Sequence, residues 1–122
     1  MSIPATSYGL CAGRHNLPVK GYIYEDITDV HDFDAMQRIA DDFVRDNGGI
    51  REIIDDSGFP VIVGKSLDVV VTGLTALTAA VMSACAWSGV GLTLWHFDRE
   101  SGEYVPQHFR FWKESERYYK HK

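Results

Sequence analysis

The sequence predicts an α/β domain, and three observations carry that expectation. Segments with strand character alternate with segments of helical period along most of the chain. The run Val69-Val70-Val71 is apolar and unbroken, the pattern of a strand buried on both faces of a parallel sheet. The last apolar segment carries Pro106, which cannot donate to a ladder and so belongs at a sheet edge. Together they predict a mostly parallel, Rossmann-like sheet with helices on its faces and a C-terminal β-hairpin at its edge.

Each element has its own justification. Residues 6–13, TSYGLCAG, read as a first strand that ends in the polar loop GRHNLP. VKGYIYED is extended, since Val19, Tyr22 and Tyr24 favour strands. A helix follows, with Asp32 as its N-cap and Asp34 complementing the dipole in its first turn. Phe33, Met36, Ile39, Ala40 and Phe43 recur at helical spacing and predict the buried face, leaving Arg38, Asp41, Asp42 and Arg45 in water. DNGG ends this helix, with Gly48 and Gly49 read as a left-handed cap.

IREIIDD is read as a short helix before the turn SGFP, and FPVIVGKS as either a strand or an extended connector. LDVVVTG is the buried strand, and LTALTAAVMSACAW is a helix with almost no charge anywhere around it. A helix that is apolar or small all round needs a cover. In a chain of 122 residues that cover is predicted to be a second subunit. GVG ends the helix, LTLWHFD is the next strand, RESGEY is a turn, and YVPQHFRFW returns as the edge strand. Residues 113–122, KESERYYKHK, form a charged, aromatic tail read as mobile or partner-bound.

The bulk numbers bound the function. Residues 1–122 suffice for one domain with its own core. A net charge of −5 argues against duplex nucleic acid as a partner, which needs a broad basic surface. Cys11 and Cys85 match no metal spacing and read as buried thiols rather than a disulfide. The start MSIPATSYGL lacks the basic and long apolar regions of a signal peptide, and no segment reaches the roughly 18 apolar residues of a membrane span. The expectations are a cytoplasmic protein, no membrane and no cofactor.

In open α/β sheets, ligands collect beyond the carboxyl ends of the parallel strands. Three such ends are polar here: Gly13-Arg14-His15-Asn16, Thr72-Gly73-Leu74-Thr75, and His96 with Asp98 and Arg99. In TGLT, Gly73 permits a sharp turn and close approach of a ligand, and Thr72 or Thr75 is a candidate cap. The free amides at a helix start suit a phosphate or carboxylate. The competing reading is a plain corner, because TGLT is neither a GxGxxG nor a Walker loop.

Arg14 and His15 suit a phosphate or a base edge, or are a solvated turn. His96 is a candidate acid or base, or a histidine satisfied by the next loop. Asp98 and Arg99 either bind a ribose hydroxyl and a phosphate or pair with each other. The candidate ligand-binding residues are thus Arg14, His15, Thr72, Gly73, Thr75, His96, Asp98 and Arg99, with His96 the catalytic candidate. Trp95, Tyr104, Phe109, Phe111 and Trp112 read as core or subunit interface before a stacking platform.

A strand ending VTGLT, a small-residue helix and a strand ending LWHFDRESGEY resemble small phage and prophage proteins, over roughly residues 14–107. The architecture is also similar to the CARF-type Rossmann-like domains of CRISPR-associated proteins, which bind cyclic oligonucleotides. That resemblance implies a ligand at the strand ends, often across a dimer, on a loop located like residues 72–75. The chain is shorter than those proteins and carries no effector domain, so no signalling output is implied.

Three readings result. The first is a homo-oligomer that binds a nucleotide-like small molecule, as a phage-type sequestering or signal-sensing protein in the host cytoplasm. The second is an enzyme cleaving a phosphodiester at the same site, with Arg14 stabilising charge and His96 moving a proton. The third is an inhibitor that contacts a host protein. The lack of a strong acid–base pair favours binding over catalysis.

Overall fold

A computed structural model of the protein describes residues 3–12, 17–109 and 111. It contains β1 (Tyr8–Cys11), β2 (Gly21–Tyr24), α1 (Phe33–Asn47), β3 (Arg51–Ile54), β4 (Pro60–Val63), β5 (Leu67–Val70), α2 (Thr75–Ser88), β6 (Leu92–Asp98) and β7 (Glu103–Phe109). Five strands form one sheet in the order β2-β1-β5-β6-β7. The first four are parallel and β7 returns antiparallel to β6, so the fold class is the one predicted. Pro106 sits on that edge strand, where its missing donor costs no ladder bond to a further strand.

β5 lies between β1 and β6, with Val69 opposite both Tyr8 and Leu94. Val69 and Val70 are both fully buried although they point to opposite faces. The crossovers from β2 to β5 and from β5 to β6 advance in the same direction. Right-handed connections therefore carry α1 and α2 to the same face. There Met36, Ala40 and Val44 of α1 and Leu77, Val81 and Cys85 of α2 join Leu10, Val69, Leu92 and Leu94 in one core. The Gln37 amide of α1 bonds to the Ala80 carbonyl of α2 at 3.0 Å. On the other sheet face, the Trp95 indole donates to Asp68 at 3.0 Å and Thr93 bonds His108 at 2.8 Å.

Asp32 caps α1 as predicted, its carboxylate accepting from the Ala35 amide at 3.1 Å. The buried stripe is Met36-Ala40-Val44, however, and Phe33 and Ile39 are 56% and 39% exposed. An i, i+4 stripe suffices because α2 covers the rest of that side. Gly48 keeps right-handed geometry because its amide completes a bond to the Val44 carbonyl at 2.7 Å; Gly49 is the left-handed residue.

The short helix expected at IREII is strand β3, paired antiparallel with β4. Its β-branched isoleucines and the turn at Asp55–Gly58 favour a hairpin over helix. α2 is buried on one side only. Thr75, Ala79, Ser83, Ala86 and Trp87 are exposed, so nothing in this chain covers that face among the described residues. The tail at residues 113–122 lies outside the described residues. No helix among the described residues is long and apolar enough to cross a membrane.

Both cysteines are free and buried. Burial pushes the Cys85 thiol up to about 12. Burial, with Asp41 and Cys11 nearby, pushes the Tyr24 phenol above its usual range; its hydroxyl donates to the Met36 carbonyl at 3.0 Å. Both groups prefer the neutral form in the fold. The stability they give is intact below their unfolded values, about 8.5 for Cys and about 10 for Tyr. It is lost as pH rises through the folded ones. Urea titrations should therefore show stability falling above about pH 9. Cys85→Ala should flatten that slope by up to about 1.4 kcal/mol per pH unit.

Candidate functional site

A cleft of about 680 Å³ opens at the carboxyl ends of β5 and β6. Leu17, Val71, Thr72, Gly73, His96, Phe97, Arg99 and Tyr104 line it. It lies beside a topological switch, because β1 connects outward to β2 while β5 connects the other way to β6.

The floor is the turn from β5 into α2. The Val71 amide still pairs with the Trp95 carbonyl at 3.0 Å, so the sheet holds the chain up to this point. Gly73 then takes φ +74, a conformation in which a Cβ is strained, and redirects the backbone. Leu74 is the N-cap of α2 and gives no side-chain cap bond. Neither Thr72 nor Thr75 caps the helix, contrary to expectation. The first amides of α2, at Thr75 and Ala76, thus lack both an intrahelical acceptor and a capping side chain.

Thr72 is 9% exposed, and its hydroxyl has no hydrogen-bond partner among the described residues. A buried hydroxyl left unpaired costs about 1–3 kcal/mol. The floor itself is Val71, Thr72 and Gly73, which bring no negative charge; the enclosed Thr72 hydroxyl and the first amides of α2 lie beside it.

The wall comes from β6, its turn and β7. His96 is exposed and bonds Gln107 at 2.8 Å, so it is not packed under the next loop, and no carboxylate pairs with it among the described residues. Arg99 supplies the lining's cationic side chain. Asp98 does not pair with it. The Asp98 carboxylate accepts from the Glu100 amide at 3.2 Å, and the Ser101 hydroxyl and that amide hold it below the usual carboxylate range. Asp98 thus shapes the turn, and Arg99 has no ion pair among the described residues. Phe97, 54% exposed, meets Tyr104 edge-on with ring centroids 5.3 Å apart.

Of the predicted residues, Thr72, Gly73, His96 and Arg99 converge on the cleft. Thr75 begins α2 and Asp98 ends β6, both outside the lining. Arg14 and His15 lie outside the described residues. Leu17, Val71 and Phe97 escaped sequence reasoning, and Tyr104 was read as core or subunit interface before a stacking surface. A signal for Phe97 and Tyr104 was available: the turn after Asp98 sets Phe97 opposite Tyr104 in the hairpin. Trp95 is buried and Phe109 packs on the core, so these members of the aromatic cluster are structural. Trp112 lies outside the described residues. No group of three or more His, Cys, Asp or Glu among the described residues is arranged to hold a metal.

Comparison with protein-family models, with curated proteins and with solved structures finds no match.

The unpaired hydroxyl generates a stability prediction. Thr72→Val keeps the shape and removes the orphan donor. It should raise the unfolding free energy of the ligand-free protein by about 1 kcal/mol in urea denaturation. A loss of similar size would mean that the hydroxyl is already satisfied.

Proposed function

We propose that the protein binds a nucleotide-like, phosphorylated small molecule in this cleft and acts by holding it. The observation that carries the reading is the orphan Thr72 hydroxyl beside the uncapped start of α2. Those donors suit phosphate oxygens, and the helix dipole adds to the attraction. Arg99 gives a second, charged contact at the rim. The Phe97 and Tyr104 rings give a planar group an apolar surface on which to stack. Anion donors on one side and aromatic rings on the other fit a nucleotide better than a bare phosphate. His96 has Gln107 as its partner rather than a carboxylate, which supports holding over cleavage. A phage-type sequestering role is consistent with the resemblance of VTGLT and LWHFDRESGEY to phage proteins. Self-association is part of the reading: α2 exposes an uncharged face on which Trp87 is 91% exposed.

The test is a thermal-shift and calorimetric panel of linear and cyclic nucleotides. A bound ligand at a hundred times its Kd stabilises by about 2.7 kcal/mol. For a domain of this size that raises Tm by roughly 10 °C. Thr72→Val and Arg99→Ala should each weaken binding tenfold or more while the folded baseline persists. No shift with any nucleotide defeats the reading. Catalytic disappearance of the nucleotide, followed by chromatography, would replace holding with phosphodiester cleavage.

A further inference from the structure

We propose that two copies of this chain pair through the outer edge of β3, joining their hairpins into a four-stranded antiparallel sheet. The β3–β4 ribbon forms a sheet of its own between α1 and β5. All four β3 residues are exposed, and Ile54 and Phe59 are 65% and 58% exposed. A two-stranded ribbon is at best marginally stable in water and gains from further strands.

The hydrogen-bond alternation says which edge is open. The Gly58 amide bonds the Asp55 carbonyl at 3.0 Å, and the Asp55 amide bonds the Phe59 carbonyl at 2.9 Å. Gly58 has φ +84, so this is a tight turn with a glycine bulge. The main-chain groups of Asp55 thus face β4. Along an antiparallel strand the direction alternates. Ile53 and Arg51 face β4, opposite Val61 and Val63, while Ile54 and Glu52 face outward. On β4 the outward residues are Pro60 and Ile62, and Pro60 has no N–H. The β4 edge is therefore blunted. The β3 edge offers complete donor and acceptor pairs at Glu52 and Ile54, with no backbone partner beyond the ribbon among the described residues.

Charge selects both the occupant and the register. Only registers that bring outward residues opposite one another form the ladder. A two-fold axis at Glu52 sets that carboxylate against its own copy. An axis at Ile54 sets Glu52 against the partner's Asp56. An axis at Ile53 avoids both clashes. It pairs Glu52 with the partner's Ile54 through main-chain bonds, packs Ile53 on the partner's Ile53, and sets Arg51 opposite the partner's Asp55 twice. Arg51 has no ion pair among the described residues. Both turn bonds to the Asp55 side chain use Oδ1, which leaves Oδ2 for the guanidinium. β3 is thus complementary to itself in one register. This pairing is independent of the α2 face and of the cleft.

Light scattering across a concentration series should give twice the mass of one chain. Ile54→Pro removes an outward N–H and no bond within the ribbon, and should raise the dimer dissociation constant at least tenfold. Ile53→Cys covers the case in which that variant disturbs the hairpin. A non-hydrogen-bonded pair at the axis has Cα atoms about 4.5 Å apart, within disulfide range. Mild oxidation should therefore give covalent dimers of Ile53→Cys at least tenfold faster than of Val105→Cys, an exposed control on β7. The native thiols are buried and should not interfere. A monomer at every concentration overturns the proposal. So does a dimer that survives Ile54→Pro while Ile53→Cys cross-links no faster than the control; that result would move self-association to α2.

Discussion

The structure depends on how β5 ends. Its neighbours hold it from both sides, and both of its faces are buried, so its path is fixed up to Val71. Within four residues the chain must then turn and start a helix. Gly73 absorbs that turn with a positive φ, and the usual side-chain cap is missing. An uncapped helix start beside a buried, unpaired hydroxyl lacks the bonds that most folds complete. Sites of this kind lower stability and are expected where a ligand finishes the bonding.

The two ends of the sheet do different work. At the carboxyl end, the β6–β7 hairpin raises Phe97, Arg99 and Tyr104 beside the β5 turn. The turn is stiffened by Asp98, whose carboxylate and carbonyl accept from the Glu100 and Gly102 amides. At the opposite end, the β3–β4 ribbon leaves the domain from a close junction. The Lys65 amide bonds the Gly48 carbonyl at 2.8 Å, and both Gly48 and Gly64 pack so near Val90 that a Cβ at either would collide with it. The ribbon is thus anchored at its base, and all four β3 residues are exposed, a form suited to contact with another molecule.

Much of the fold was legible in the sequence because burial leaves a periodic trace. The valine run, the Asp32 cap and the alternation in LTLWHFD led to β5, α1 and β6. The ribbon was misread because Ile50, Ile53 and Ile54 also fit a helical face, and period alone cannot separate the two over so short a run. The cleft was half legible. Thr72, Gly73, His96 and Arg99 announce themselves by chemistry at strand ends. Phe97 and Tyr104 do not, because an aromatic residue on a strand looks like core until its register is known. The missing cap is invisible in sequence, where Thr72 and Thr75 lie on either side of Gly73-Leu74 and either looks able to serve.

The proposed anion seat consists of the first amides of α2 and the Thr72 hydroxyl. The most direct measurement is an amide chemical-shift titration with a nucleoside monophosphate, run beside inorganic phosphate. Binding at this seat should give saturable shifts concentrated at Gly73, Leu74, Thr75 and Ala76 for both, with the nucleotide also moving Phe97 and Tyr104. Shifts confined to exposed lysines, or none that saturate, would contradict it.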